Sequence, residues 1–256
     1  MSDFAVFLAL TAIMGLSIFL SLPVVYSRRA QGRAAVVLNA IAIGILIFLL
    51  ADVFSDATTV LYTSSNGGYL ADPRAAFVFG AAFTAAYLVL YFVDHRPGRY
   101  VEAKPRFTAL IIALGIGFQN LTEGLVFGYN WTLGALGLLS VIFVGFFLQN
   151  VTEGFPIASP FLGTSERRNL GLLTGLFLIG GLPTIVGGAI GYFYNSSLLD
   201  LLFDALAIGA IAYVILPMIK VAFRPAETPE ASYRRNRLVY FGVLIGFLIG
   251  FAVNAL

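Results

Sequence analysis

The sequence predicts an all-α polytopic membrane protein with eight transmembrane helices, and three observations predict it. Of its 256 residues 59% are hydrophobic and only 11% charged, with a mean hydropathy of +0.93, whereas a soluble domain carries about 25% charged residues. Apolar runs of about 20 residues, each long enough to cross a bilayer as a helix, recur along the whole chain. The basic residues fall between these runs in a strictly alternating pattern.

The spans cover about 4–26, 34–54, 75–93, 107–128, 133–158, 169–194, 199–219 and 238–254. The first has no basic residue ahead of its apolar core and no clear small-residue cleavage site, so it reads as a membrane helix and not as a signal peptide. Arg28, Arg29 and Arg33 separate spans one and two; Arg96, Arg99, Lys104 and Arg106 separate three and four. Arg167 and Arg168 separate five and six, and Lys220, Arg224, Arg234, Arg235 and Arg237 separate seven and eight. Fourteen of the 15 Lys and Arg therefore share one side, with Arg74 alone on the other. Positive flanks mark the cytoplasmic face, so both termini are expected to be extracytoplasmic, in the plasma membrane. An even number of spans agrees with this alternation.

The stretch YTSSNGGYLADP after span two reads as a turn-rich outer loop, and residues 220–237 as a polar cytoplasmic linker. No connection leaves room for a soluble domain, so residues 1–256 are expected to form a single integral membrane domain in contact with the lipid bilayer. Cysteine is absent, which excludes disulfides, thiolate ligands and a cysteine nucleophile. The spans hold no Ser, His or Cys arrangement with nucleophile-and-base character, so an enzyme is not expected. Nothing in the chain points to nucleic acid or to an organic cofactor, and no nucleotide-binding loop is present to supply ATP drive.

Ionisable groups inside spans cost about 2.5–3.5 kcal/mol each at a helix centre on insertion scales and mark function by default. Glu123 and Glu153 lie deep in spans four and five, Asp52 and Asp56 near the end of span two, and Asp200 and Asp204 at the opening of span seven. His95, in the connection after span three, reads as a solvated loop residue.

The two deep glutamates belong to a repeat. GFQNLTEG carries Gln119, Asn120, Thr122 and Glu123; FLQNVTEG carries Gln149, Asn150, Thr152 and Glu153. In each copy Gln and Glu are four residues apart and share a helix face, with the Asn about 100° around on its flank. A short connection makes spans four and five antiparallel. Gln119 with Glu153, and Glu123 with Gln149, then share a sequence midpoint and can meet at one depth. Polar glue between helices accounts for amides, but two carboxylates brought together at low dielectric demand a cation or a proton. Each copy also contains a nominal Asn-x-Thr glycosylation pattern, void at mid-membrane depth. Gly124 and Gly154 permit close backbone approach or local unwinding, and Pro156 is expected to kink span five and free a carbonyl.

Paired HN-x-PEG-like motifs on the fourth and fifth of eight helices resemble the ZIP family of divalent-metal transporters. The match holds at the Asn, Glu and Gly positions of QNLTEG and QNVTEG. DVFSDA at 52–57 is similar to that family's HLLPEA, GGLPTIVGGAIG at 180–191 to its SGL-x-EPLGA-x-xG, and ALAIGAIAYVILP at 205–217 to its small-residue helix-seven pattern. The resemblance implies a fold in which helices 1–3 and 6–8 are inverted repeats around helices 4–5, and it is compatible with a homodimer. It implies a carrier that moves Zn²⁺, Fe²⁺ or Mn²⁺ into the cytoplasm as its transported substrate, with Asp52 and Asp56 on the cytoplasmic exit path. One metal position maps onto Gln119, Glu123, Gln149 and Glu153, and a neighbouring one onto Asn120, Asn150 and Glu153.

The departures are Gln in place of the motif His residues, Thr122 and Thr152 in place of the motif prolines, and Thr184 at the helix-six carboxylate position. Oxygen ligands without imidazole or thiolate shift the expected ion towards Mn²⁺ or Fe²⁺. A degenerate, non-transporting metal sensor or membrane partner, and a cation channel, stay open beside the carrier.

Overall fold

The computed structural model describes residues 3–23, 32–62, 72–95, 105–134, 136–162, 169–194, 196–226 and 228–255. Among them every regular element is helical. We number the helices α1 (Asp3–Leu16, continued by a 3₁₀ turn Ser17–Ser21), α2 (Arg33–Leu61), α3 (Pro73–Asp94), α4 (Pro105–Thr132), α5 (Leu136–Ala158), α6 (Leu170–Phe193), α7 (Ser197–Ala222) and α8 (Pro229–Asn254). Seven of these segments are long and apolar enough to cross a membrane, and α5, with 23 residues, matches the fifth expected span. The protein is an all-helical integral membrane protein.

Two boundaries move for physical reasons. α8 begins at Pro229, nine residues before the apolar run, because Thr228 caps it: its Oγ1 accepts from Ala231 N at 3.2 Å and Pro229 occupies the first turn. The expected linker at 220–237 is therefore mostly helix. Arg235 folds back onto the end of α7, donating to Ala222 O at 3.0 Å and Val221 O at 2.9 Å, which satisfies carbonyls a helix C-terminus leaves open. α2 runs seven residues past its apolar stretch to Leu61. Its 29 residues reach about 43 Å at roughly 1.5 Å per residue, longer than a hydrocarbon core of about 30 Å.

Neighbouring pairs give the helix directions. α2 and α8 run parallel, Gly242 meeting Ala40 and Gly250 meeting Phe48. α3 and α7 run parallel, Gly209 lying against Phe83 and Tyr213 against Tyr87 with rings 5.5 Å apart. α4 and α6 run parallel, and α1 runs antiparallel to α6, Gly15 lying against Gly181 and Thr11 against Gly188. One end of the bundle then carries Arg33, Arg106, Lys220, Arg224, Arg234, Arg235 and Arg237; Arg74 lies at the other. Arg28, Arg29, Arg96, Arg99, Lys104, Arg167 and Arg168, and most of the expected outer loop, lie outside the described residues.

The most extensive packing is α4 on α6, followed by α2 on α8 and α3 on α7; α7 also packs on α4 and α2, and α1 packs on α6 and α5. This pattern has an internal regularity. Exchanging α1, α2, α3 and α4 with α6, α7, α8 and α5 turns α4·α6 into α5·α1, α2·α8 into α7·α3, and α4·α7 into α5·α2, and all of these packings occur. At the end away from the basic residues, Phe7 stacks among Phe127, Trp131 and Tyr192 at centroid distances of 5.1–5.9 Å, and Trp131 Nε1 donates to Asp3 Oδ2 at 3.1 Å.

Candidate cation site between α4 and α5

Both motif copies lie in unbroken helix. Thr122 Oγ1 donates to Phe118 O at 3.3 Å and Thr152 Oγ1 to Gln149 O at 2.7 Å, so each threonine turns its hydroxyl back on its own helix where a proline would have opened it. The motif glycines serve close approach and not unwinding. A Cβ at Gly124 would run into the Thr184 carbonyl of α6, and one at Gly154 into Ser21 and Ile18 of the α1 segment. α5 stays helical past Pro156 to Ala158.

The six motif side chains form one network, each at most 5% exposed. Gln149 Nε2 donates to Glu123 Oε1 at 2.7 Å, and Gln119 Nε2 to the same oxygen at 3.1 Å. Asn150 Nδ2 donates to Glu123 Oε2 at 3.2 Å and to Phe146 O at 2.9 Å. Asn120 Nδ2 reaches Asn150 Oδ1 and Glu153 Oε2, both at 2.9 Å, and Gly180 O of α6 at 3.0 Å. Antiparallel pairing thus brings Glu123 to Gln149 as the shared midpoint requires. The counterpart of Gln119 and Glu153 is replaced by a contact from Asn120. The asparagines, read as flank residues from their angular offset, are the central bridge.

This network is poor in protons and rich in oxygen. An amide nitrogen has two hydrogens, yet Asn120 Nδ2 faces three acceptors. Four buried oxygens have no hydrogen-bond partner among the described residues: Gln119 Oε1, Asn120 Oδ1, Glu153 Oε1 and, on α6, Thr184 Oγ1. Among the described residues no Lys, Arg or His is buried, so no cationic side chain balances the two carboxylates. Buried acceptors without donors are costly; a cation, a proton or a water molecule would each supply a partner. The described residues contain no cluster of three or more His, Cys, Asp and Glu side chains suited to a metal. Any ion here would depend on amide and hydroxyl oxygens beside two carboxylates, a hard ligand set.

Asp52 and Asp56, expected on a cytoplasmic exit path, stand apart from this network. Asp52, half-buried, accepts from Asn254 Nδ2 at 2.7 Å, which places it at the C-terminal ends of α2 and α8, opposite the basic end. Asp56 is exposed one turn further out. These carboxylates and the described basic residues other than Arg74 therefore occupy opposite ends of the bundle. Asp204 lies deeper than its place at the opening of span seven suggests. It is 4% exposed, its carboxylate is within hydrogen-bonding reach of Thr122 of the first motif, and it interacts electrostatically with Asp56, Asp200 and Asp52. A signal was available: Asp204 lies one helical turn beyond Asp200 and opens the small-residue run of α7. His95 is exposed, its Nδ1 3.0 Å from Tyr91 O.

No family model matches the chain, and no curated protein matches it.

Proposed function

We propose that the chain is a divalent-cation carrier of ZIP-like architecture that takes Zn²⁺, Fe²⁺ or Mn²⁺ through a site between α4 and α5 towards the basic, cytoplasmic end of the bundle. The observation that carries this reading is the set of unpartnered buried oxygens around two glutamates in one network. Glu123 is held by three amide donors and contributes fixed charge. Glu153 keeps one oxygen open, and together the two carboxylates match the charge of a divalent ion. Amide oxygens replace lost hydration without adding charge, so the ion can also leave. The recurrence of three helix packings under exchange of α1–α4 with α6, α7, α8 and α5 supports an inverted repeat of helices 1–3 and 6–8 around the central pair. The repeated motifs support the family resemblance. The absence of imidazole from the network favours Mn²⁺ and Fe²⁺ over Zn²⁺.

The test is uptake by purified protein in proteoliposomes. Saturable accumulation of Mn²⁺, Fe²⁺ or Zn²⁺, lost in Glu153→Gln, is expected. No flux for any divalent ion, or a Glu153→Gln variant that transports like wild type, rejects the carrier.

A further inference from the structure

We infer that the corner where α7 ends and α8 begins holds the headgroup of an anionic phospholipid, between Lys220 of α7 and Arg237 of α8; this is independent of whether the chain carries ions. The exposed face of α8 changes character along its length. From the far end towards the basic end it presents Phe251, Leu248, Leu244, Tyr240, Arg237 and Tyr233, spaced three or four residues apart and all exposed. The apolar part of this face meets lipid tails, and the basic part stands at headgroup depth. Tyr240 marks the boundary, where amphipathic rings are favoured.

One contact brings α7 to this face: the rings of Phe223 and Tyr240 lie 5.3 Å apart. Lys220 precedes Phe223 by one turn on α7, and Arg237 precedes Tyr240 by one turn on α8. Because α7 runs towards the basic end and α8 away from it, the two cations flank the ring pair in depth. Each lies roughly 4.5 Å from it along its helix, at about 1.5 Å per residue. Both are exposed, and among the described residues no carboxylate pairs with either. A lysine stem lies along apolar surface while its ammonium reaches outward, so both charges converge on a phosphate at the depth of Tyr240. The neighbouring charges fit this division. Arg235 donates to Ala222 O and Val221 O, offsetting the negative end of the α7 dipole, which would repel an anion. Glu230 stands four residues before Arg234 on α8 and offsets its charge, which leaves Arg237 as the α8 cation of the corner. A basic flank that only orients a helix in the membrane needs no such convergence.

The test is binding of phosphatidylglycerol, with phosphatidylcholine as the neutral comparison, to the purified protein in dodecyl maltoside, read by native mass spectrometry and by Tm. Wild type should retain phosphatidylglycerol more tightly than phosphatidylcholine and gain Tm with it. In Lys220→Gln/Arg237→Gln that affinity should fall roughly 25-fold, about fivefold for each basic residue lost near the surface. The lipid-free Tm should stay at the wild-type value, because both side chains are exposed. Arg33→Gln/Arg234→Gln removes the same charge at the same end and should bind phosphatidylglycerol like wild type. Equal losses in the two double variants would reduce the corner to diffuse attraction and overturn the inference. Wild-type affinity in Lys220→Gln/Arg237→Gln, or no preference of wild type for phosphatidylglycerol, would also overturn it. A Tm rise reproduced by inorganic phosphate or glycerol phosphate at the same concentration would assign the corner to a soluble anion, against the lipid.

Discussion

On α4, Glu123 accepts from Gln119, Gln149 and Asn150; on α5, Glu153 accepts from Asn120 and leaves Oε1 bare. The two copies of QN-x-TEG have the same polar residues at the same spacing, so the difference lies in how their amides are shared. α4 packs along α6, which offers Gly180 O to Asn120. Asn150 instead divides its hydrogens between Glu123 and its own helix at Phe146. A near-symmetric pair becomes a held carboxylate and an open one because Gln119 donates to Glu123 on its own helix while Gln149 donates across to the same Glu123.

The strongest way to break this comparison is to exchange the two glutamates' fates. Glu153→Gln should cost cation binding about 3–5 kcal/mol, the scale for removing one partner of a buried charge interaction, which is a hundredfold or more in affinity. Apo stability should barely change, since the new amide oxygen still accepts from Asn120. Glu123→Gln should do the reverse in the apo protein. It sets an amide against three amide donors, at roughly 1–3 kcal/mol for each group left unsatisfied, and thermal unfolding in detergent should show a Tm lower by several degrees. Equal apo Tm values for the two variants would show that the carboxylates are not differently held.

A smaller effect sharpens the role of the glutamines. Gln119→His combined with Gln149→His introduces imidazole at both ends of the network and should raise uptake of Zn²⁺ relative to Mn²⁺ by about tenfold, or ~1.4 kcal/mol, measured by competition. An unchanged ratio would mean that ligand type at these positions does not set selectivity. The smallest effect is expected at Asp204→Asn: a few-fold loss of uptake at low Mn²⁺, fading as salt or Mn²⁺ is raised, because charge on an approach route acts through local ion concentration. A loss that persists at saturating Mn²⁺ would move Asp204 from the approach into the site.

Much of this molecule was legible before its coordinates. Hydrophobic runs report where a helix crosses lipid, so the spans were readable; they say nothing of helix beyond the lipid, so the Thr228-capped start of α8 and the long end of α2 were missed. The i, i+4 spacing of Gln and Glu marked the buried polar network, and antiparallel geometry brought Glu123 to Gln149. Angular offset on a single helix made the asparagines look peripheral, because a helical wheel does not contain the neighbour at Gly180. Asp52 and Asp56 were placed on the exit side by resemblance, although the direction of α2 already ran from Arg33 towards the opposite face.

The end of the bundle away from the arginines is divided laterally. Phe7, Phe127, Trp131 and Tyr192 seal the quarter where α1, α4 and α6 meet, while Asp52, Asp56, Asp200 and Asp204 gather where α2 and α7 meet. Among the described residues, the carboxylate side is the one whose chemistry favours water and the dielectric screening it brings. A hydrated ion loses solvation against aromatic faces and retains it among carboxylates. In the carrier proposed above, a hydrated ion would keep its waters longest beside α7 and approach Thr122 and Glu123 obliquely, from that side.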